Sequence, residues 1–164
     1  MEYSIYGIVL NSVDREYRKN NKGKTQHYLI LTKLFSSKGV IPDAENRSLV
    51  PNKLPFRRQY SLVDETEIDG LIEKGLTDYE KEKKLKPMNV DMCGESIWKY
   101  LYSRYPDSSG YYHFSNIVFD RAKRRAHVTV KGIGGYWNSS VDHSLIKTRK
   151  GWKITSSGGG FGVC

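Results

Sequence analysis

The sequence predicts an α+β domain, with about three helices packed on a curved, mainly antiparallel sheet that closes in a four-strand meander. Three observations carry this. In the last third of the 164 residues, the runs His113–Phe119, Ala126–Ile133, Val141–Lys147 and Trp152–Ser156 alternate apolar and polar residues with period two. The breaks between them, Asp120–Arg125, Gly134–Ser140 and Thr148–Gly151, gather the Gly, Asn, Asp and Ser that hairpin turns use. Earlier in the chain, apolar residues recur at three and four residues, the spacing of one helix face.

The elements follow in order. Ile5, Tyr6, Val9, Leu10, Val13 and Tyr17 form an apolar stripe over Ile5–Arg18, with Asn11, Asp14, Arg15, Arg18 and Lys19 on the other face. The polar stretch Lys19–Gln26 ends that helix. His27–Phe35 is rich in Leu, Ile, Tyr and Phe and reads as a strand buried on at least one face. Ser36–Tyr60 has no period and carries Pro42, Pro51 and Pro55, so it reads as a long, functional or mobile connection with Arg47, Lys53, Arg57 and Arg58 on it. A second helix runs from about Asp64 to Lys84 on the stripe Ile68, Leu71, Ile72, Leu76 and Tyr79, with Ser61 set three residues before Asp64 as a weak capping arrangement. Gly70 and Gly75 inside it each cost about 1 kcal/mol of propensity relative to Ala, so packing must hold it. A third helix spans Glu95–Arg104 with Ile97, Trp98, Leu101 and Tyr102 inward, and Pro106 stops it. Residues 1–156 form one domain, and 157–164 read as a flexible Gly-rich tail.

A chain of this length buries roughly 70% of its unfolded surface and needs no staple. Its two cysteines, Cys93 and Cys164, lack metal-ligand spacing, which fits free thiols in a reducing compartment. The start has no signal-peptide pattern, and no run of about 18 apolar residues suits a membrane span. A cytoplasmic location with no membrane partner is the expectation. The net charge of +9 is uneven: residues 64–82 hold eight of the 18 acidic groups, whereas residues 111–164 hold nine Lys or Arg against two Asp. Basic surface attracts polyanions and acidic proteins alike.

If the four strands are consecutive neighbours, the first and third turns lie at one end. Arg121, Lys123, Arg124 and Arg125 then stand near Lys147, Arg149 and Lys150, as a common basic rim. Base-stacking aromatics do not interleave with these cations, which weighs against single-stranded nucleic acid. Toward the other end, His113 and His143 begin their strands near Tyr136 and Trp137, so the four are candidates to line a pocket in which a histidine acts as general base. By strand parity His113 shares a face with Ile117 and Phe119, and His143 with Val141 and Leu145. The four histidines and two cysteines give no zinc spacing. Gly132–Gly135 does not open a helix as a dinucleotide loop does, and no Gly-x-Ser-x-Gly turn occurs. No metal or cofactor is expected, and no residue is assigned a catalytic role.

The run Phe114–Ser115–x–Ile117–x–Phe119–Asp120, then Ala126–x–Val128–x–Val130, a glycine turn, Leu145–x–Lys147 and Gly151–Trp152–Lys153–Ile154 resembles the C-terminal sheet of small bacterial proteins. Many of these are similar to the nuclear-transport-factor-two-like or cystatin-like fold. The resemblance covers about a third of the chain and implies helices packed into a curved sheet. That fold class includes enzymes, ligand carriers, immunity proteins and interaction modules, so it fixes no activity. Three readings of function stay open: a non-enzymatic cytosolic protein-binding module of inhibitor or immunity type, a small-molecule pocket protein or enzyme using His113 and His143, and polyanion binding by the basic turns.

Overall fold

The computed structural model describes residues 3–36, 49–83 and 94–163. The N-terminal apolar stripe folds as α1 (Tyr3–Asn20), burying Ile5, Tyr6, Val9 and Leu10. It leads into β1 (Tyr28–Leu31), whose four residues are all buried. Such a continuous apolar run is what a strand covered on both faces requires. β2 (Tyr60–Val63), α2 (Glu65–Lys83), α3 (Glu95–Arg104) and β3 (Tyr111–Phe114) follow, then β4 (Val118–Phe119), β5 (Arg125–Ile133), β6 (Trp137–Thr148) and β7 (Gly151–Val163).

All seven strands share one open sheet in the order β2-β1-β3-β5-β6-β7, with β4 also on β5. β2 and β3 flank β1 and run parallel to it, while β3 through β7 pair antiparallel. The α+β class and the meander of the prediction hold. β3 and β4 together form its first strand.

Three layers result, because side chains alternate across a sheet. Tyr28 and Ile30 of β1, Tyr112 and Phe114 of β3, Ala126, Val128 and Val130 of β5 and Leu145 of β6 form one core with α1. Leu29, Leu31 and Val63 point the other way and form a second core with Ile68, Ile72, Ile97, Trp98 and Leu101 of α2 and α3. These two helices pack over the β2-β1-β3 half. Along β5, the exposed Arg125, His127 and Lys131 alternate with buried residues on the α1 side.

Four expectations need correction. The connection after β1 contributes packing in its described part: Val50, Leu54 and Phe56 are buried in the α1 core. Pro55 sits so close to Gly7 that a side chain at Gly7 would meet its ring at 2.6 Å. Residues 37–48, with Pro42 and Arg47, lie outside the described residues, as do both cysteines. Asp64, in place of Ser61, caps α2, its Oδ1 accepting from the Thr66 N–H at 2.8 Å. Asp14, assigned by periodicity to the polar face of α1, is buried. Finally, 157–163 continue β7, each pairing with β6 in unbroken register from Ser157 opposite His143 to Val163 opposite Trp137. Low-complexity composition concealed a strand whose glycines fit a crowded ladder. At Gly159 a Cβ would overlap the Ser140 carbonyl oxygen and lie 2.7 Å from the Val141 Cα.

Candidate functional site

The meander brings the two basic turns together. Arg125 opens β5 opposite Ile146, and the Lys147 N–H donates to the Arg124 carbonyl at 2.8 Å. Asp120 builds the first turn, accepting from the Arg124 and Arg125 N–H groups at 2.7 and 3.0 Å. Those bonds hold its carboxyl below the usual carboxylate range. Lys123 takes the left-handed conformation the turn demands, at φ 51°. In the other turn, Thr148 Oγ1 donates to the Gly151 carbonyl at 2.7 Å and accepts from the Lys150 N–H at 3.2 Å. Gly151, at φ 115°, supplies a conformation closed to other residues.

Arg121, Lys123, Arg124, Arg125, Lys147, Arg149 and Lys150 are therefore neighbours, and all are exposed. Adjacent strands lie about 4.8 Å apart and successive residues about 3.3 Å. Arg124 and Lys147 thus stand within a screening length of roughly 8 Å at physiological salt, where their fields reinforce each other. The register adds a cation the sequence did not place there. Arg125, Ile146 and Lys153 form one row across β5, β6 and β7, so Lys153 extends the rim onto the open face. Knowing the hairpin register was the condition for seeing it.

The histidine-lined pocket does not form. His113 pairs with Lys131 and lies on the side opposite α1, its ring edge-on to Phe35 at 4.9 Å. His143 pairs with Val128 and is buried on the α1 side, Nδ1 bonded to Ser157 Oγ at 2.8 Å. The sheet separates them. Burial pushes both imidazoles toward the neutral form, while a backbone bond at Lys33 opposes the shift in His113 and Asp142 opposes it in His143. A bulge puts His113 on the opposite face from Ile117 and Phe119. Phe114 stands opposite Val130 but Val118 opposite His127, so the β3–β4 side carries one extra residue. Ser115 repairs the ladder, its Oγ accepting from the Thr129 N–H at 2.8 Å.

Trp137 closes the expected mouth instead of lining it. Its Nε1 donates to the Ser109 carbonyl at 3.0 Å, and its ring covers Gly132, where a Cβ would lie 2.6 Å from it. Tyr136 is exposed, its hydroxyl accepting from the Glu95 N–H at 3.3 Å. β6 begins at Trp137, so the turn between β5 and β6 is shorter than the predicted Gly134–Ser140 break.

A buried polar network escaped the sequence reading. Tyr28 donates to Asp14 Oδ1 at 3.1 Å, and Arg58 Nε donates to Asp14 Oδ2 at 3.3 Å. Nearby, Gln26 Nε2 donates to the Tyr112 hydroxyl at 3.0 Å, and Ser109 Oγ donates to Gln26 Oε1. Burial pushes the Tyr112 phenol up to about 12 and raises Tyr28 as well. Asp14 borders a shallow depression lined also by Asn11, Arg15, Arg18, Lys19 and Gly23. The network reads as structural, since each member satisfies another.

Among the described residues, no three His, Cys, Asp or Glu side chains converge as metal ligands, and no helix is long and apolar enough to cross a membrane. No protein-family model, no curated protein and no solved structure matches this chain.

Proposed function

We propose that the chain is a non-enzymatic protein-binding module that takes an acidic protein partner on the basic rim. One observation carries the reading: the Lys147–Arg124 backbone bond, which joins two turns of like charge that would otherwise repel. Seven exposed cations stand on that rim, and Asp120 beside them is engaged by backbone N–H groups. A concentrated field of one sign steers an oppositely charged partner and sets its orientation. An inhibitor or immunity-type protein, which must find one partner quickly, has use for such steering.

The test compares two charge-reversed proteins. Arg124→Glu/Arg149→Glu/Lys150→Glu removes the rim, and Lys19→Glu/Lys22→Glu/Lys24→Glu removes as many exposed cations near the end of α1. Anisotropy of a labelled polyglutamate peptide reads binding at about 150 mM salt, where the screening length is roughly 8 Å. Only the rim variant is expected to lose affinity, by tenfold or more on the roughly 1 kcal/mol scale of each lost charge contact. Equal losses in both variants would sink the reading. So would tighter binding of a polyuridylate RNA of equal charge, with affinity falling steeply in salt.

A further inference from the structure

The sheet ends at β7, whose outer row of N–H and C=O groups faces no described strand. At 13 residues this edge is roughly 43 Å long. Folded proteins blunt such edges with Lys, Pro, bulges or short length. β7 does so only in its first half, with Lys153 and the bulge that leaves Thr155 between Ile154 and Ser156, which stand opposite Leu145 and Ser144. From Ser156 to Val163 the strand has no charge and no proline.

We propose that the outer edge of β7 between Ser156 and Val163 accepts an extended segment of the acidic partner as an added strand. This rests on the rim reading and names its mode. Main-chain bonds supply affinity in strand addition, and pockets or shelves for alternate side chains supply selectivity. Such a shelf is present. Phe161 and Val163 lie on one face of the strand, 69% and 74% exposed, and the Trp137 ring stacks on Phe161 at 6.4 Å and 14°. The opposite face offers Gly158 and Gly160, where nothing lies within 4 Å of a built Cβ, so it is an open floor. At the far end of the same edge stand Arg149, Lys150 and Lys153.

Charge chooses the occupant. Residues 151–164 contain no Asp or Glu and one cation, Lys153, so a second copy of β7 supplies no carboxylate to Arg149, Lys150 and Lys153. A segment that is acidic at one end and alternates apolar residues at the other complements it along its whole length.

The probe is a labelled ten-residue peptide with four Glu at one end and alternating Val and Thr at the other, made in both chain directions. Two further versions of each direction carry N-methyl groups on alternate amides, one on the odd set and one on the even. In an added strand every second N–H bonds to the edge. One direction should therefore bind. One of its methylated sets should lose roughly tenfold or more, the equivalent of one or two main-chain hydrogen bonds, and the other should stay near the parent. Hydrogen exchange should show alternate amides of 156–163 protected on binding. Phe161→Ser/Val163→Ser should weaken the peptide and spare polyglutamate.

If both methylated sets bind equally while Arg149→Glu/Lys150→Glu abolishes binding, strand addition is overturned and the rim reading stands. If the wild type binds neither peptide nor polyglutamate, both fall. A dimer by ultracentrifugation, with 156–163 protected before any peptide is added, would give the edge to a second copy and overturn this assignment.

Discussion

Two glycines in one helix give opposite answers to one substitution. Gly70 and Gly75 both lie inside α2, where Gly costs about 1 kcal/mol relative to Ala. At Gly70 nothing lies within 4 Å of the position a methyl would take. Gly70→Ala should therefore stabilise the protein by most of that amount. For a chain of this size, that raises Tm by about 2–4 °C. Gly75 is buried against α3. A methyl there would overlap the Ile97 carbonyl oxygen and stand 2.7 Å from the carbonyl carbon and 3.1 Å from the Cα. These are backbone atoms that no rotamer change can move. α3 must shift as a unit, and with it Ile97, Trp98 and Leu101, which fill the second core. Overpacking of this kind costs about 1–3 kcal/mol or more, against a propensity gain of about 1. Gly75→Ala should lower Tm by several degrees, and far-UV circular dichroism melts of the three proteins decide it. A Gly75→Ala protein as stable as the wild type would mean that α2 and α3 are not in backbone contact there. The second core would then need redrawing.

Two other perturbations probe the buried polar groups. Asp14→Ala leaves the Tyr28 O–H donor without its acceptor in the core, at a cost of about 1–3 kcal/mol, while Arg58, a third exposed, turns to water and adds little. Asp14→Asn keeps an acceptor and should lose less than half as much in urea melts, so equal losses would refute the network. His143 is held neutral by burial, its folded pKa below the ordinary value near 6.5. Its contribution is complete above that pH. It is lost as pH falls below it, because the unfolded chain takes up the proton first, at up to about 1.4 kcal/mol per pH unit. Urea midpoints between pH 7 and 5 should fall more steeply for the wild type than for His143→Asn, and parallel curves would show that His143 does not titrate with folding.

The legible parts of the fold were those governed by local periodicity. The stripe from Ile5 to Leu10, the helix from Glu95 to Arg104 and the alternation of Ala126–Val130 need only one period each, and each appears where its spacing puts it. The errors have a common source in residues whose role is set by something distant. A single inserted residue between Phe114 and Val118 turns His113 to the far side of the sheet from Ile117 and Phe119, and no local signal marks it. Asp14 sits on the polar face of its own helix, yet Tyr28 and Arg58, from two other elements, converge on it. Ser156–Gly160 has the composition of a tail and the pairing of a strand, because a 12-residue β6 offers it a full-length partner. The basic rim was legible because it depends on topology alone, and it survives any change of face parity.

The charge separation along the chain invites a view of one molecular dipole, with the acidic helix screening the rim or serving as a second docking face. The side chains argue otherwise. Asp78 accepts from Tyr100 at 2.5 Å and from Lys99 at 3.1 Å, while Glu67 accepts from Tyr105 at 2.6 Å and meets Arg104 at 3.8 Å. Lys74 of α2 lies over the Tyr100 ring. Part of the acidic charge of α2 is thus used to fasten it to α3, on the half of the sheet far from the turns. These contacts are exposed and screened by solvent, yet they occupy the carboxylates facing α3. At the rim, backbone groups hold the turns, and Arg121, Lys123, Arg124, Arg149 and Lys150 are exposed. The rim, and the β7 edge that runs away from it facing no described strand, are therefore the surfaces on which the proposed partner is to be tested first.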